Sequence, residues 1–177
     1  MESAIIGGGC QISPKASFYG EVKIGNNVRI DDFCVIAGKI TIGDNLHIGC
    51  GTRMIGEVTL EDFASVSFGV SIFSCSDDFS GRFLVGPTIP EKYRGVTKKP
   101  VLLKRHSLVG CNSVIMPGVT LHEGAAIGAM SLVRKTVPSW SIWGGNPLRF
   151  LFLRDSDCAR LADEYMKENF LDYWTHG

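Results

Sequence analysis

The residues best suited to moving a proton are an adjacent carboxylate pair, Asp77–Asp78, and one histidine, His106. A single aspartate is a weak base for a hydroxyl group, but two neighbouring carboxylates raise one another's affinity for a proton. An imidazole titrates nearer to working pH. The pairing this suggests has His106 as proton acceptor and Asp77 or Asp78 orienting it across a subunit boundary. Each also has a plainer role. Aspartate is a preferred turn residue. His106 occupies a position where the chain elsewhere uses Gly or Asn, and histidine is enriched in the left-handed backbone such positions need. His47 and His122 read as outward-facing surface residues, and His176 falls in a tail.

Charge adds a second functional signal. The chain of 177 residues is neutral, with 18 basic and 18 acidic side chains. No bulk attraction to nucleic acid or membrane follows. The balance is uneven along the sequence. Residues 82 to 105 carry Arg82, Lys92, Arg94, Lys98, Lys99, Lys104 and Arg105 against Glu91 alone. Arg134, Lys135 and Arg149 follow. This basic half either binds an anionic ligand or forms a solvated positive face.

Metal and disulfide chemistry find little support. There is no Cys-x-x-Cys, and His47, His106 and His122 include no close pair of the kind a three-histidine zinc site uses. Cys10 and Cys34 sit in apolar-patterned positions and read as small buried residues. A reduced, cytoplasmic protein is expected. The apolar runs are too short to span a bilayer, and Met1–Ile5 lacks the charged start of a signal peptide.

The elements that must position these residues follow a period of six. Ile6, Ile12, Phe18, Ile24, Ile30, Ile36, Ile42, Ile48, Met54, Leu60, Val66 and Ile72 recur without a miss. A small or medium residue follows each by four places, from Cys10 to Ser76. Neither a helix nor a single strand has this period. A hexapeptide period implies coils whose short strands stack on their equivalents one coil away. Gly9, Asn27, Asn45, Gly51 and Gly69 take the fourth place, where a tight corner needs a left-handed backbone.

The rhythm breaks between 78 and 102, in a Gly- and Pro-punctuated loop too long to be a plain connection. Such a loop either serves a ligand or clasps a neighbouring subunit. The rhythm resumes, shifted by one, at Leu103, Val109, Ile115, Leu121, Ile127 and Val133. Ser139 to Arg154 is an irregular run. Asp155 to about Trp174 has the pattern of an amphipathic helix, with Cys158, Leu161, Ala162 and Tyr165 on one face and Asp155 or Ser156 as cap. It is expected to seal the open end of the coil. The organisation is therefore a repeat body over 1–154, with an extruded loop at 78–102, and a helix and tail over 155–177.

These motifs resemble the hexapeptide-repeat transferases. The matching stretches are Ile24–Arg29, Ile42–His47, Val109–Thr120, Ile127–Val133 and Gly144–Arg149. Asp77–Gly81 followed by Pro87–Tyr93 is similar to the sugar O-acetyltransferases of bacterial surface-polysaccharide biosynthesis. The resemblance implies an all-β fold: a left-handed parallel β-helix of about six coils, three hexads to a coil, with one extruded loop and a C-terminal α-helix. It implies a cytoplasmic homotrimer with active sites between subunits, acetyl-CoA as cosubstrate and no metal.

By motif, Gly110, Ala129, Lys135 and Arg149 are the implied coenzyme A contacts. Ser131 falls in the inward slot and reads as core. Trp140 and Trp143 suit either the coenzyme or the end of the core. The family's usual loop histidine is absent; Asp77 and Asp78 stand in its place. The implied reaction is acetyl transfer to a hydroxyl of a sugar in O-antigen or capsule synthesis. The alternative is N-acetylation of a nucleotide-linked amino sugar, whose amine attacks as the free base. A γ-carbonic anhydrase-like or structural hexapeptide protein is a weaker third reading.

Overall fold

The computed structural model describes residues 4–175, with side chains through residue 169. Short strands wind into a parallel β-helix of triangular section. Partners across adjacent coils are 18 residues apart, as in Ser17↔Val35↔Arg53 and Gln11↔Arg29↔His47↔Ser65. One face holds Gln11–Ile12, Arg29–Ile30, His47–Ile48, Ser65–Val66, Leu108–Val109 and Ala126–Ile127. The long strands Ser17–Ile24, Val35–Ile42 and Arg53–Leu60 each bend round a corner to serve the other two faces. They bend at Gly20, Gly38 and Gly56, all with positive φ.

The hexad residues are the core. Ile30, Ile36, Ile48, Met54, Leu60, Ile72, Leu103, Ile115 and Leu121 are all at most 1% exposed. Each buried aliphatic side chain contributes roughly 1.5–3 kcal/mol of burial energy, and Ile36→Ala would also leave a cavity. The fourth hexad position takes left-handed backbone even where it is bulky: Phe33, Phe63, His106 and Met130 all have φ between 56° and 60°.

Across the loop the partner spacing jumps from 18 to 43, as in Val58↔Val101 and Ser71↔Val114, so 25 residues are looped out without loss of stacking. Coil strand already resumes at Val101–Leu103, two residues inside the loop expected from sequence. The loop is not irregular throughout. Cys75–Ser76 pairs antiparallel with Thr97–Lys98 at its base, and Glu91–Tyr93 forms a 3-10 turn.

Two expectations about the C-terminal end are corrected. Ser139–Arg154 is not irregular: Ser141–Gly144 stacks on Ala126–Ile127 and turns back antiparallel to Arg149–Leu153. The helix, Asp157–Thr175, does not seal the coil. It descends along one corner, where Tyr165 meets Phe63 edge-on at 6.4 Å and Asn27 Nδ2 lies 3.2 Å from the Tyr165 hydroxyl. The hairpin covers the end instead, with Trp143 and Leu148 packed on the core. The carboxylate of Asp155 accepts the Asp157 amide at 2.9 Å and so caps the helix. His176 lies outside the described residues.

Candidate functional site

The two branches of the proposed proton relay lie apart. His106 stands on the corner after Val101–Leu103, beneath the C-terminal helix, whereas the loop leaves from the opposite end of that strand. His106 is 7% exposed. Its ring stacks on Phe63 at 5.4 Å and on Trp140 at 6.2 Å, and its carbonyl accepts from Arg154 at 2.7 Å. Burial, then the charges of Arg105 and Arg154, push its pKa below the usual imidazole value, with Glu123 opposing. Within one subunit the fold does not bring it to Asp77 or Asp78. It is a corner residue stacked into an aromatic column.

Asp77 and Asp78 do lie in a cavity of about 650 Å³ at the base of the loop, with Phe79, Lys99, Met116, Leu132 and Arg134. Their surroundings differ. Asp77 accepts the Arg94 guanidinium at 3.1 Å on one oxygen and the Gly86 amide at 3.2 Å on the other. Asp78 accepts the Ser80 hydroxyl at 2.8 Å, which holds its carboxyl below the ordinary aspartate range. That direction disfavours Asp78 as a base. The two carboxylates are hydrogen-bonded to different partners.

A second cavity of about 420 Å³ shares Leu132 and Arg134 with the first and continues past Lys135 to Asn146, Pro147 and Leu148. The two make one trough running from the loop to the C-terminal hairpin. Its apolar lining of Met116 and Leu132 and its cations Lys99, Arg134 and Lys135 suit a long ligand carrying phosphates. Lys135 Nζ also lies 4.5 Å over the Trp143 ring.

The four expected coenzyme contacts separate into two groups. Lys135 lines the trough, and Arg149 pairs with Gly144 on the hairpin beside it. Gly110 and Ala129 lie together on another corner, where the Gly110 amide donates to the Ile127 carbonyl at 2.8 Å. A Cβ on Gly110 would stand 2.6 Å from the Ala129 nitrogen, so close stacking of coils requires the glycine. Ser131 is 2% exposed and donates to the Gly128 carbonyl, as its inward slot implied.

Sequence reasoning did not single out Arg94, Lys99 or Arg134. The loop's basic bias was the available signal, but it did not say which cation faces the carboxylate. Nor did it find that His47 Nε2 lies 2.7 Å from Asp31, which also binds Arg29. Among the described residues, no group of three or more His, Cys, Asp or Glu is placed to hold a metal ion.

Residues 3–38 and 21–56 match the family model for the bacterial transferase hexapeptide (six repeats). The chain is 42% identical over 167 residues to an Escherichia coli dTDP-4-amino-4,6-dideoxy-D-glucose acyltransferase, covering 90% of this chain and 87% of that protein. It is similar in structure to AntD, an N-acyltransferase from Bacillus cereus, solved with dTDP and 3-hydroxybutyryl-CoA. The identity is 40%, the TM-score 0.88, and the match covers 93% of this chain and 90% of that one. A serine-to-alanine variant of AntD, bound to dTDP-4-amino-4,6-dideoxyglucose and coenzyme A, matches at 41% identity and TM-score 0.89, over 93% and 91% of the chains.

Proposed function

Because the chain belongs to the hexapeptide-repeat acyltransferases, we propose that it transfers an acyl group from acyl-CoA to the amino group of a dTDP-linked 4-amino-4,6-dideoxy sugar. The single observation that carries this is the 42% identity, over 90% of the chain, to an acyltransferase of that amino sugar. It reverses the order that the sequence suggested, in which a sugar hydroxyl came first and an amine second. It also widens acetyl to acyl.

The chemistry of the cavity favours the amine. A carboxylate that already binds a guanidinium and a backbone amide is a poor base for a sugar hydroxyl. An amine needs less help: it attacks as the free base, and its proton becomes acidic as the C–N bond forms. Asp77 takes that proton. The amine's lone pair forms the bond to the thioester carbon, the C–S bond breaks, and coenzyme A leaves as thiolate and is reprotonated. Lys99 lines the same cavity and stabilises the negative oxygen of the intermediate. Arg134 and Lys135 hold the coenzyme's phosphates, and Met116 and Leu132 take its apolar arm.

The active site is completed by a second subunit of a homotrimer. The serine and the aspartate replaced in AntD variants are numbered ten apart. In this chain Ser67 and Asp77 are the serine–aspartate pair with that spacing. Ser67 follows strand Ser65–Val66 and precedes Ser71–Phe73, so it lies on the corner of Gly110 and Ala129, while Asp77 starts the loop beyond the next face. Adjacent subunits bring two such corners together. The reading includes a cytoplasmic enzyme whose product is an activated sugar for surface-polysaccharide assembly.

The test is a thiol-release assay with acetyl-CoA and either dTDP-4-amino-4,6-dideoxyglucose or its 4-hydroxy counterpart. Turnover with the amine and none above background with the hydroxyl is expected. Faster turnover of the hydroxyl compound would restore the O-acetylation reading.

A further inference from the structure

Arg94 lies near the end of the loop, and neither motif nor charge pattern distinguished it from its basic neighbours. Its side chain is only 20% exposed, unlike Lys98 at 68%. Nη2 donates to Asp77 Oδ1 at 3.1 Å, while Nε is buried with no partner among the described residues. A buried donor without a protein partner calls for an explanation. We propose that Arg94 is a positioning residue for acyl transfer: it fixes the Asp77 carboxylate so that its free edge faces the cavity and receives the proton of the acceptor amine. The inference rests on the function proposed above and assigns to it a residue that acts through Asp77.

Three observations support the assignment. First, both limbs of the loop hold the carboxylate. Gly86 on the outgoing limb binds Oδ2, Arg94 on the returning limb binds Oδ1, and the limbs are joined where the Leu84 amide donates to the Tyr93 carbonyl at 3.0 Å. The carboxylate therefore has one orientation relative to the loop. Second, the Asp77 side chain remains 34% exposed and lines the cavity, so lone pairs are left for a substrate. Third, a guanidinium stays charged at every working pH, so the contact between Arg94 and Asp77 is present throughout the reaction. When the amine attacks, one N–H proton passes to Asp77 and then to the departing thiolate, and the products are an amide and free coenzyme A. Arg94 touches neither substrate and keeps its own protons throughout.

The experiment compares Arg94→Lys, which keeps the charge, with Arg94→Gln, which keeps a donor without it, in the full chain. Thiol release with acetyl-CoA and dTDP-4-amino-4,6-dideoxyglucose is followed from about pH 4 to 9, so that an acidic limb set by a carboxylate falls inside the window. The glutamine variant should lose roughly 10- to 100-fold in kcat, and the acidic limb of its rate–pH profile should move to higher pH. Its KM for acetyl-CoA should stay within about twofold, because the interaction lost acts on the chemical step. Lysine should restore the position of the limb and most of the rate. An acidic limb that stays in place in the glutamine variant, or a lysine variant no better than glutamine, overturns the proposal and leaves Arg94 as a brace for the loop. Should the glutamine variant not fold, the lysine variant decides alone: a wild-type limb supports the proposal and a displaced limb overturns it. Failure of wild type to use the amino sugar would instead refute the functional reading itself, and the proposal with it; that outcome is seen before any variant is made.

Discussion

His106→Ala separates a stacking role from a catalytic one. The histidine is 7% exposed, its φ is 60°, and its ring lies between Phe63 at 5.4 Å and Trp140 at 6.2 Å. Alanine loses the stacking, about 0.5–1.5 kcal/mol for each aromatic pair beyond area. It leaves a cavity under the helix, and alanine is less at ease than histidine in left-handed backbone, each of these adding about 1 kcal/mol. The sum is about 3–5 kcal/mol. With a urea slope of about 1–3 kcal/mol per molar for a small protein, the unfolding midpoint should fall by about 1 M or more. Protein concentration must be fixed, since assembly contributes to apparent stability. The rate on the amino sugar should stay within about threefold. A loss of 10²–10⁴-fold in kcat, the range for removal of a general base, with an unchanged midpoint would refute the reasoning. The pH dependence gives a second check. The imidazole's pKa is held below its unfolded value of about 6.5. The stability that the neutral ring confers is therefore complete above that value and lost as pH falls through the lower, folded one. The midpoint gap between wild type and His106→Asn, which tolerates the same backbone, should narrow between pH 7 and pH 5.

Three other outcomes follow from the site. Asp77→Asn should lower kcat by about 10²–10⁴-fold, while Asp78→Asn, whose carboxylate is committed to Ser80, should stay within about threefold in the thiol-release assay. Lys135→Ala and Arg149→Ala should weaken acetyl-CoA binding in calorimetry, most at low salt, and leave the thermal midpoint nearly unchanged; equal affinity in all three proteins would displace the coenzyme from the trough. Gly110→Ala should cost about 1–3 kcal/mol in urea unfolding, because the new methyl meets the backbone nitrogen of Ala129 at 2.6 Å.

The six-residue period made the solenoid legible, because it is a one-dimensional signal: each coil contacts only its neighbours, so sequence spacing maps directly onto stacking. Ile12 to Ile72 and Leu103 to Val133 specified the core, with Ile6 at the head of the series left exposed, and the shift by one between the two runs located the looped-out segment. The same logic found the inward Ser131 and the left-handed position of His106. Closeness in sequence to the loop does not put His106 beside it within one subunit, because the loop departs from another corner. Which corner a residue occupies decides its neighbours, and the three corners of one coil are only six residues apart. The partners of Asp77, nine and seventeen residues away across a loop without rhythm, had no periodic signal. Nor did the path of the C-terminal helix. Its apolar face was visible, but Phe63 and Asn27, each more than a hundred residues away in sequence, decide where that face docks. Local pattern fixes a repeat; contacts between unlike, distant segments are fixed by tertiary packing, because only the folded chain brings their side chains within reach.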